Sequence, residues 1–474
     1  MAIRLALLAL ILGFDDWSQV SSEFQSALAG PSVPKFAAAV ENVAKDDSPR
    51  AAKLLVGGLS TKRVEAYWVL IAGLGKITSS EGIAEIERVL RAKGDAAVKR
   101  DLLMSLALNP SDGANSALVR IVADGTPDLQ VTAIDELVRR GVRESVPALI
   151  KLLSLEKKKG LGELARQARK GLINLTGQDQ GSGDAWSAWW ERNKDSFKVG
   201  ELPSGDVDTI AATIKRNRAS DYEELKKGKK EDVLVLLGDY DGVQDVVDAL
   251  KIPNTVCSRD AFGRQDLSKC KAIIVNCTSY KGSGHLKKGD LEKIRDFVAG
   301  GGYLFTSDWG LADVLEEAFP GYIQRGGETN EFNTPIYPKK GSAVHPFLRE
   351  VFSKPQGDRL VERKIDHAWQ IDAQSYTISY DASKVVVLIE APELQASAQP
   401  TAVAVTFTVG AAAGTSTAMG GVYEDLPQQK GGKVLHVLSH FSKQKNKHDG
   451  YTLQNMLLNF LIEAKDRKHG QERK

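Results

Sequence analysis

The stretch "GGGYLFTSDWG", Gly300 to Gly310, joins a glycine turn to a short apolar run that stops abruptly on small and polar residues. It reads as a turn, a buried strand and a sharp exit. A helical pattern, "KKGDLEKIRDFVAGG", precedes it and another, "LADVLEEAFPGY", follows it. The same alternation runs upstream, with "DVLVLLG" as a strand, "DGVQDVVDALKI" as a helix and "CKAIIVNC" as a strand. Continuous apolar strands separated by helices imply a parallel sheet covered on both faces, hence an α/β domain. Later strands, "KVVVLIE", "AVAVTFTV" and "KVLHVLSHF", extend it.

In such sheets ligands collect beyond the carboxyl ends of the strands. The residues at those ends are Asp239, Tyr240 and Asp241 after the first strand, Asn276 and Cys277 after the middle one, and Ser307, Asp308 and Trp309 after the third. His440 ends a later strand, and His367 opens "HAWQID". Together they define a candidate pocket for a small molecule at the sheet edge. Ser307 is the candidate nucleophile, His440 its base and Asp308 or Asp366 the acid that orients the base. A nucleophile elbow needs very small residues two places before and two places after its central residue. Around Ser307 those places hold Phe305 and Trp309, and Gly310 falls one position late. That bulk favours a pocket role for Ser307 over chemistry.

The three cysteines, Cys257, Cys270 and Cys277, are too few and wrongly spaced for a disulfide framework or a zinc finger. Cys277 reads as a small buried residue. His345, Asp366, His367 and His440 give no pair of ligands fixed on one element, so no metal and no cofactor is expected.

A helix ending in "FVAGGG", a hydrophobic strand and a small residue at a sharp turn resemble the class I glutamine-amidotransferase-like superfamily, including its trehalose-utilisation-type branch. "HPFL" at 345–348 and "GGKVLHVLSHF" before a closing helix are similar to that branch too. The resemblance spans roughly 232–464 and implies a flavodoxin-like sheet, with Ser307 at the nucleophile position and His440 at the catalytic histidine position. Superfamily members that hydrolyse glutamine use cysteine there, so the serine departs from the pattern.

The N-terminal half has a different period. "IAEIERVL", "NSALVRIV" and "VPALIKLL" align with Ile86, Leu118 and Leu149 at spacings of 32 and 31, and "AAKLLVGGL" places Leu54 another 32 upstream. Each is followed by a second helix, whose first residues Val64, Val98, Val131 and Ala165 recur every 33 or 34 residues. Two registers with one period indicate stacked helical pairs, none able to bury its apolar stripe alone. This resembles the HEAT-repeat family over about residues 32–178, which implies an α-solenoid with a surface for a protein partner. "GDAWSAWWERNKDSF" puts Trp186 on one helical face with Trp189 and Trp190, as in a helix capping the end of a solenoid. The combination of repeats, tryptophan motif and "GGYLFTSDW" is similar to HEAT-repeat proteins of planctomycete-type bacteria.

The expected organisation is an N-terminal segment at 1–31, a solenoid with its tryptophan cap at 32–199, a linker at 200–231, the α/β domain at 232–464 and a charged tail at 465–474. Arg4 and the apolar run Leu5 to Phe14 have the form of a signal-peptide core. That points to export, to the periplasm or cell envelope, with a cytoplasmic location as the alternative. No segment is long enough to span a bilayer as a helix. With 63 basic and 61 acidic residues among 474 and a formal charge of +2, no global field points to nucleic acid. Two functions compete: a non-catalytic binding or scaffolding protein with a degenerate site, and an exported hydrolase acting on an amide, ester or sugar-derived substrate through Ser307 and His440.

Overall fold

The computed structural model describes residues 17–92, 94–156, 161–199, 210–278, 285–354, 362–363, 367–394, 401–410 and 431–466. The apolar run at 5–14, Asp366 and residues 411–421 of the small-residue stretch "GAAAGTSTAMGG" lie outside the described residues. The chain divides into two compact units, Met1–Ile121 and Val122–Lys474. The division falls inside the helical region and not in the 200–231 stretch.

The first unit is helical. After a helix over 17–29 come Val33–Ala44, Pro49–Gly58, Val64–Leu74, Ser80–Arg91 and Ala96–Leu108. Serine or aspartate side chains close several of the helix starts: Ser32, Ser48, Ser79 and Asp95 each accept from a backbone N–H in the first turn. The repeat period is written in the bonds between helical pairs. Asp47 accepts from the Thr78 and Ser79 amides at 2.6 and 2.9 Å and from the Thr78 hydroxyl at 2.9 Å. Tyr67 donates to Asp101 at 2.8 Å, Asn109 donates to the Ile77 carbonyl, and Arg120 pairs with Glu87 at 2.6 Å. These partners stand 31 to 34 residues apart. The aligned residues Ile86 and Leu118 are fully buried, but in the fainter copy the fully buried residue is Leu55, with Leu54 half-buried. The period is right there and the register is one residue off.

The second unit combines further helices with sheets. Trp186 and Trp189 are buried, and Trp189 meets Trp186 and Phe197 edge-on at ring distances of 5.6 and 5.3 Å, so these indoles are core. Helices Ile210–Asn217 and Ala219–Lys226 stand in the stretch expected to be a linker. Arg218 and Asp221 there are buried: Asp221 pairs with Arg218 at 2.9 Å and Arg349 at 3.2 Å, and Arg218 donates to Asn459 at 2.7 Å. Arg349 also reaches Asp135 at 2.8 Å. Buried ions need this much pairing to be tolerated, and the pairing fastens these helices to the helix Lys447–Asp466 and to the turn that carries Arg349.

The strands are β1 (Val233–Leu236), β2 (Thr255–Cys257), β3 (Ala272–Val275), β4 (Tyr303–Ser307), β5 (Ile323–Glu328), β6 (Phe332–Pro338), β7 (Ser353–Lys354), β8 (Glu362–Arg363), β9 (His367–Ile371), β10 (Tyr376–Tyr380), β11 (Val385–Ala391), β12 (Thr401–Val409) and β13 (Gly432–Val437). Nine form one sheet in the order β2-β1-β3-β4-β13-β12-β11-β6-β9, while β5 pairs with β10 and β7 with β8. The half β2-β1-β3-β4-β13 is parallel. The half from β12 to β9 is antiparallel, which corrects the expectation of a parallel sheet throughout. The apolar runs of β11 and β12 are buried on both faces, so their sequences lack the alternation that marks an antiparallel strand with one wet face. In register, Leu236 pairs with Val275, Val275 with Thr306, Thr306 with His436 and Ser307 with Val437. The carboxyl ends of β1, β3, β4 and β13 are therefore level. Among the described residues no helix is long and apolar enough to cross a membrane.

The Asp47 carboxylate carries three bonds between helical pairs, and the residue itself sits at φ 48°, where aspartate is better tolerated than most. Asp47→Ala should cost about 1–3 kcal/mol, read as a lower denaturation midpoint. Burial raises the Asp47 pKa, but the bonds from Ser79 and Thr78 more than offset it and hold it below 3.8. Its stabilisation is thus present above the unfolded value and lost as pH falls through the folded one, so the gap between wild type and variant should close on acidification below about pH 4. A variant as stable as wild type at pH 7 would remove the tie between repeats.

Candidate functional site

The turn after β4 organises the site. Asp308, not Ser307, takes the left-handed conformation, at φ 40°. Its N–H remains in the ladder, donating to Val437 O at 2.8 Å, while the chain behind it swings into Leu311–Leu315. The small positions of an elbow centred on residue 308 are 306 and 310. Gly310 fits: a Cβ there would stand 2.8 Å from Thr306 Cβ. Phe305, whose bulk argued against an elbow, points into the core between Phe441 and Phe460 at ring distances of 5.8 and 5.7 Å. Trp309 is half-buried against Tyr376. The sharp left-handed turn therefore falls on an aspartate, one residue after the candidate nucleophile Ser307; Gly310 meets the small-residue requirement of an elbow and Thr306 does not.

Ser307 is committed elsewhere. Its hydroxyl donates to Asp241 Oδ2 at 2.8 Å, and Asp241 Oδ1 accepts from the amides of Gly242 at 2.9 Å and Phe441 at 3.0 Å. Burial pushes the Asp241 carboxyl up against these bonds. Asp241 thus clamps the turn after β1 to β4 and to the residue that follows His440. Among the described residues no bond joins Ser307 to His440, the pairing that the hydrolase reading required.

His440 faces the elbow. Nε2 lies 3.2 Å from Asp308 Oδ2, and Nδ1 donates to Asp372 Oδ2 at 2.8 Å. Lys443 reaches the same Asp372 oxygen. Burial alone would lower the imidazole pKa, but Asp308, Asp372 and Cys277 outweigh it and push it up to about 12. Asp372 is raised by burial and lowered further by His440 and Lys443, ending below its usual value. Cys277 completes the group, with Sγ 3.7 Å from Asp308 Oδ2. Burial raises its pKa, with His440 acting the other way. Cys277, Asp308 and His440 are 1, 3 and 3% exposed, and their ligand atoms all lie within 4.8 Å of one another.

The remaining candidates surround this cluster or stand apart from it. Asn276 ties the turn after β1, accepting from Val243 N at 3.3 Å and donating to Gln244 at 2.5 Å. Asp239 accepts from Thr278 at 2.6 Å, and Tyr240 is half exposed. His367 is buried on β9 beside Phe352, 4.0 Å from Asp449. His436 sits under the cluster against Thr306 at 2.9 Å, and burial pushes it down to about 4. Asp372 is the residue that sequence reasoning missed. It ends "AWQID", and bonds from Ser439 to Gln370 O at 2.7 Å and from Gln370 N to Gln444 at 3.3 Å bring that strand end to the His440 loop.

No family model matches the chain, and no curated protein matches it. Among solved structures, Gan42B, a GH42 beta-galactosidase, is similar over 48% of this chain and 29% of its own, with 12% identity and a TM-score of 0.27. A likeness that slight carries no argument about fold or function.

Because Asp241 holds three partners with one buried carboxylate, Asp241→Ala should destabilise the second unit by about 1–3 kcal/mol in denaturant unfolding. Ser307→Ala removes one of the three bonds and should cost less. The reverse order would show that Ser307 has a role beyond this clamp.

Proposed function

We propose that the second unit is a hydrolase domain on a flavodoxin-like, amidotransferase-like scaffold. Its reactive centre is Asp308, His440 and Cys277, with Asp372 as the positioning residue. One observation carries the reading: a non-glycine residue held left-handed at the end of a central strand, with its carboxylate facing a buried histidine and a thiol. A left-handed aspartate costs about 1–2 kcal/mol, and burying these polar groups costs more. Such costs gather where chemistry needs a group aimed in one direction. Asp372 accepts from Nδ1 and so leaves Nε2 facing Asp308 and Cys277. Water adds to the electrophilic carbon of an amide, ester or sugar-derived bond. Its proton passes to the Asp308 and His440 pair and from there to the leaving group, so one water is consumed and one bond is broken.

The helical repeats of the first unit, HEAT-like in period, serve in this reading as the surface for a protein partner. The apolar run after Arg4 serves as an export signal. The alternative of a non-catalytic scaffold is favoured by the near-complete burial of Cys277, Asp308 and His440.

A panel of chromogenic esters, amides and glycosides separates the two. With a turned-over substrate, Asp308→Asn and His440→Ala should each lower kcat/KM by about 100-fold or more, while Ser307→Ala retains activity within about ten-fold. Loss of activity in Ser307→Ala alone would return the chemistry to the serine. No turnover of any member would favour the scaffold.

A further inference from the structure

The reactive centre is built from three strand ends: Cys277 after β3, Asp308 after β4 and His440 after β13. We propose that Cys277 Sγ, the Asp308 carboxylate and His440 Nε2 bind one zinc-class divalent metal ion, with a fourth position left open for water or a substrate oxygen. The inference deepens the hydrolase reading by naming the cofactor of that site.

Distances support it first. Zinc takes sulfur at about 2.3 Å and nitrogen or oxygen at about 2.0 Å, so in a tetrahedron the nitrogen and oxygen ligands stand about 3.3 Å apart and the sulfur and oxygen about 3.5 Å apart. Nε2 and Oδ2 are 3.2 Å apart here, and Sγ and Oδ2 are 3.7 Å apart. The strand register that levels the ends of β3, β4 and β13 sets these spacings without any element having to move.

Satisfaction is the second support. Asp308 Oδ1 and His440 Nε2 are buried and make no hydrogen bond among the described residues. Nε2 lies 3.2 Å from Asp308 Oδ2, an ion-pair distance when the imidazole is protonated and the separation of two ligands on one cation when it is neutral. Buried polar atoms seldom go unpaired; a cation held at Oδ2 would pair Nε2 directly, and Oδ1 only if the carboxylate binds through both oxygens.

Chemistry is the third. One sulfur, one imidazole and one carboxylate make a mixed set suited to zinc and unsuited to the all-oxygen shells of magnesium or calcium. A thiolate, a carboxylate and a divalent ion sum to zero charge, which a buried site requires. Outside them Asp372 fixes the Nδ1–H of His440, as a carboxylate behind a metal-bound histidine does, and Lys443 balances Asp372. Three protein ligands with one open position is the pattern of catalytic zinc sites. Bound water there loses its proton near neutral pH.

The test uses the untagged full chain expressed in zinc-supplemented medium, so loading does not depend on access to a buried site in the folded protein. Elemental analysis should find about one zinc per chain. Cys277→Ser and His440→Ala should each lose most of it, while Cys257→Ala and Cys270→Ala, which change the other two buried cysteines, should keep it. Cobalt-substituted wild type should show a thiolate-to-metal charge-transfer band that Cys277→Ser lacks, with circular dichroism confirming that the variant is folded. Absence of stoichiometric metal in the wild type, or occupancy and a thiolate band that survive Cys277→Ser, would overturn the site. Hydrolysis dependent on Asp308 and His440 in metal-free chain would sink the metal and keep the hydrolase. A stoichiometric Cys277-dependent metal without turnover of the substrate panel would do the opposite.

Discussion

The second unit turns on one backbone constraint, the left-handed residue at the end of β4. With φ at 40°, Asp308 leaves the sheet while its N–H still bonds to β13, and its side chain is thrown over the carboxyl edge of the strands. Gly310 makes the turn possible, since a Cβ there would press on Thr306. The level register of β1, β3, β4 and β13 then decides what Asp308 meets. Asp241, Cys277 and His440 follow strand ends that lie within one residue of each other in register. A conformation that costs stability is kept because the ladder on both sides fixes it.

Electrostatics completes the arrangement. The carboxylates of Asp308 and Asp372 enclose His440 and, while no cation is bound, favour its charged form despite its burial, with Lys443 on the far side of Asp372. The neighbouring His436 has no carboxylate at hydrogen-bond distance among the described residues and burial keeps it neutral. Two histidines four residues apart on and after one strand thus have opposite character, set by what the turns place beside them. Asp241, drawn into the clamp with Ser307 and Phe441, is structural in the same sense.

Much of this was legible in the sequence. Strand ends at 239–241, 276–277, 307–309 and 440 could be read from apolar runs, because buried strands are bounded sharply by polar residues. The helical period of 31 to 34 residues was legible for a similar reason, since each pair must repeat the same burial. Register was harder. Ser307 and Asp308 are adjacent small polar residues, and which of them takes the left-handed conformation depends on where the β13 ladder ends, information that lies 130 residues away. The same one-residue ambiguity separates Leu54 from Leu55. Asp372 was hidden because its strand pairs antiparallel at the far end of the sheet order, and only loop-to-loop bonds bring it to His440.

The site depends on a left-handed turn at Asp308, and a crystal structure that resolves the peptide planes of 306–310 tests this directly. The expected result is a left-handed Asp308 with its carboxylate facing His440 Nε2 and Cys277 Sγ, and the Ser307 hydroxyl on Asp241. A left-handed Ser307 with its hydroxyl turned to His440 would contradict it.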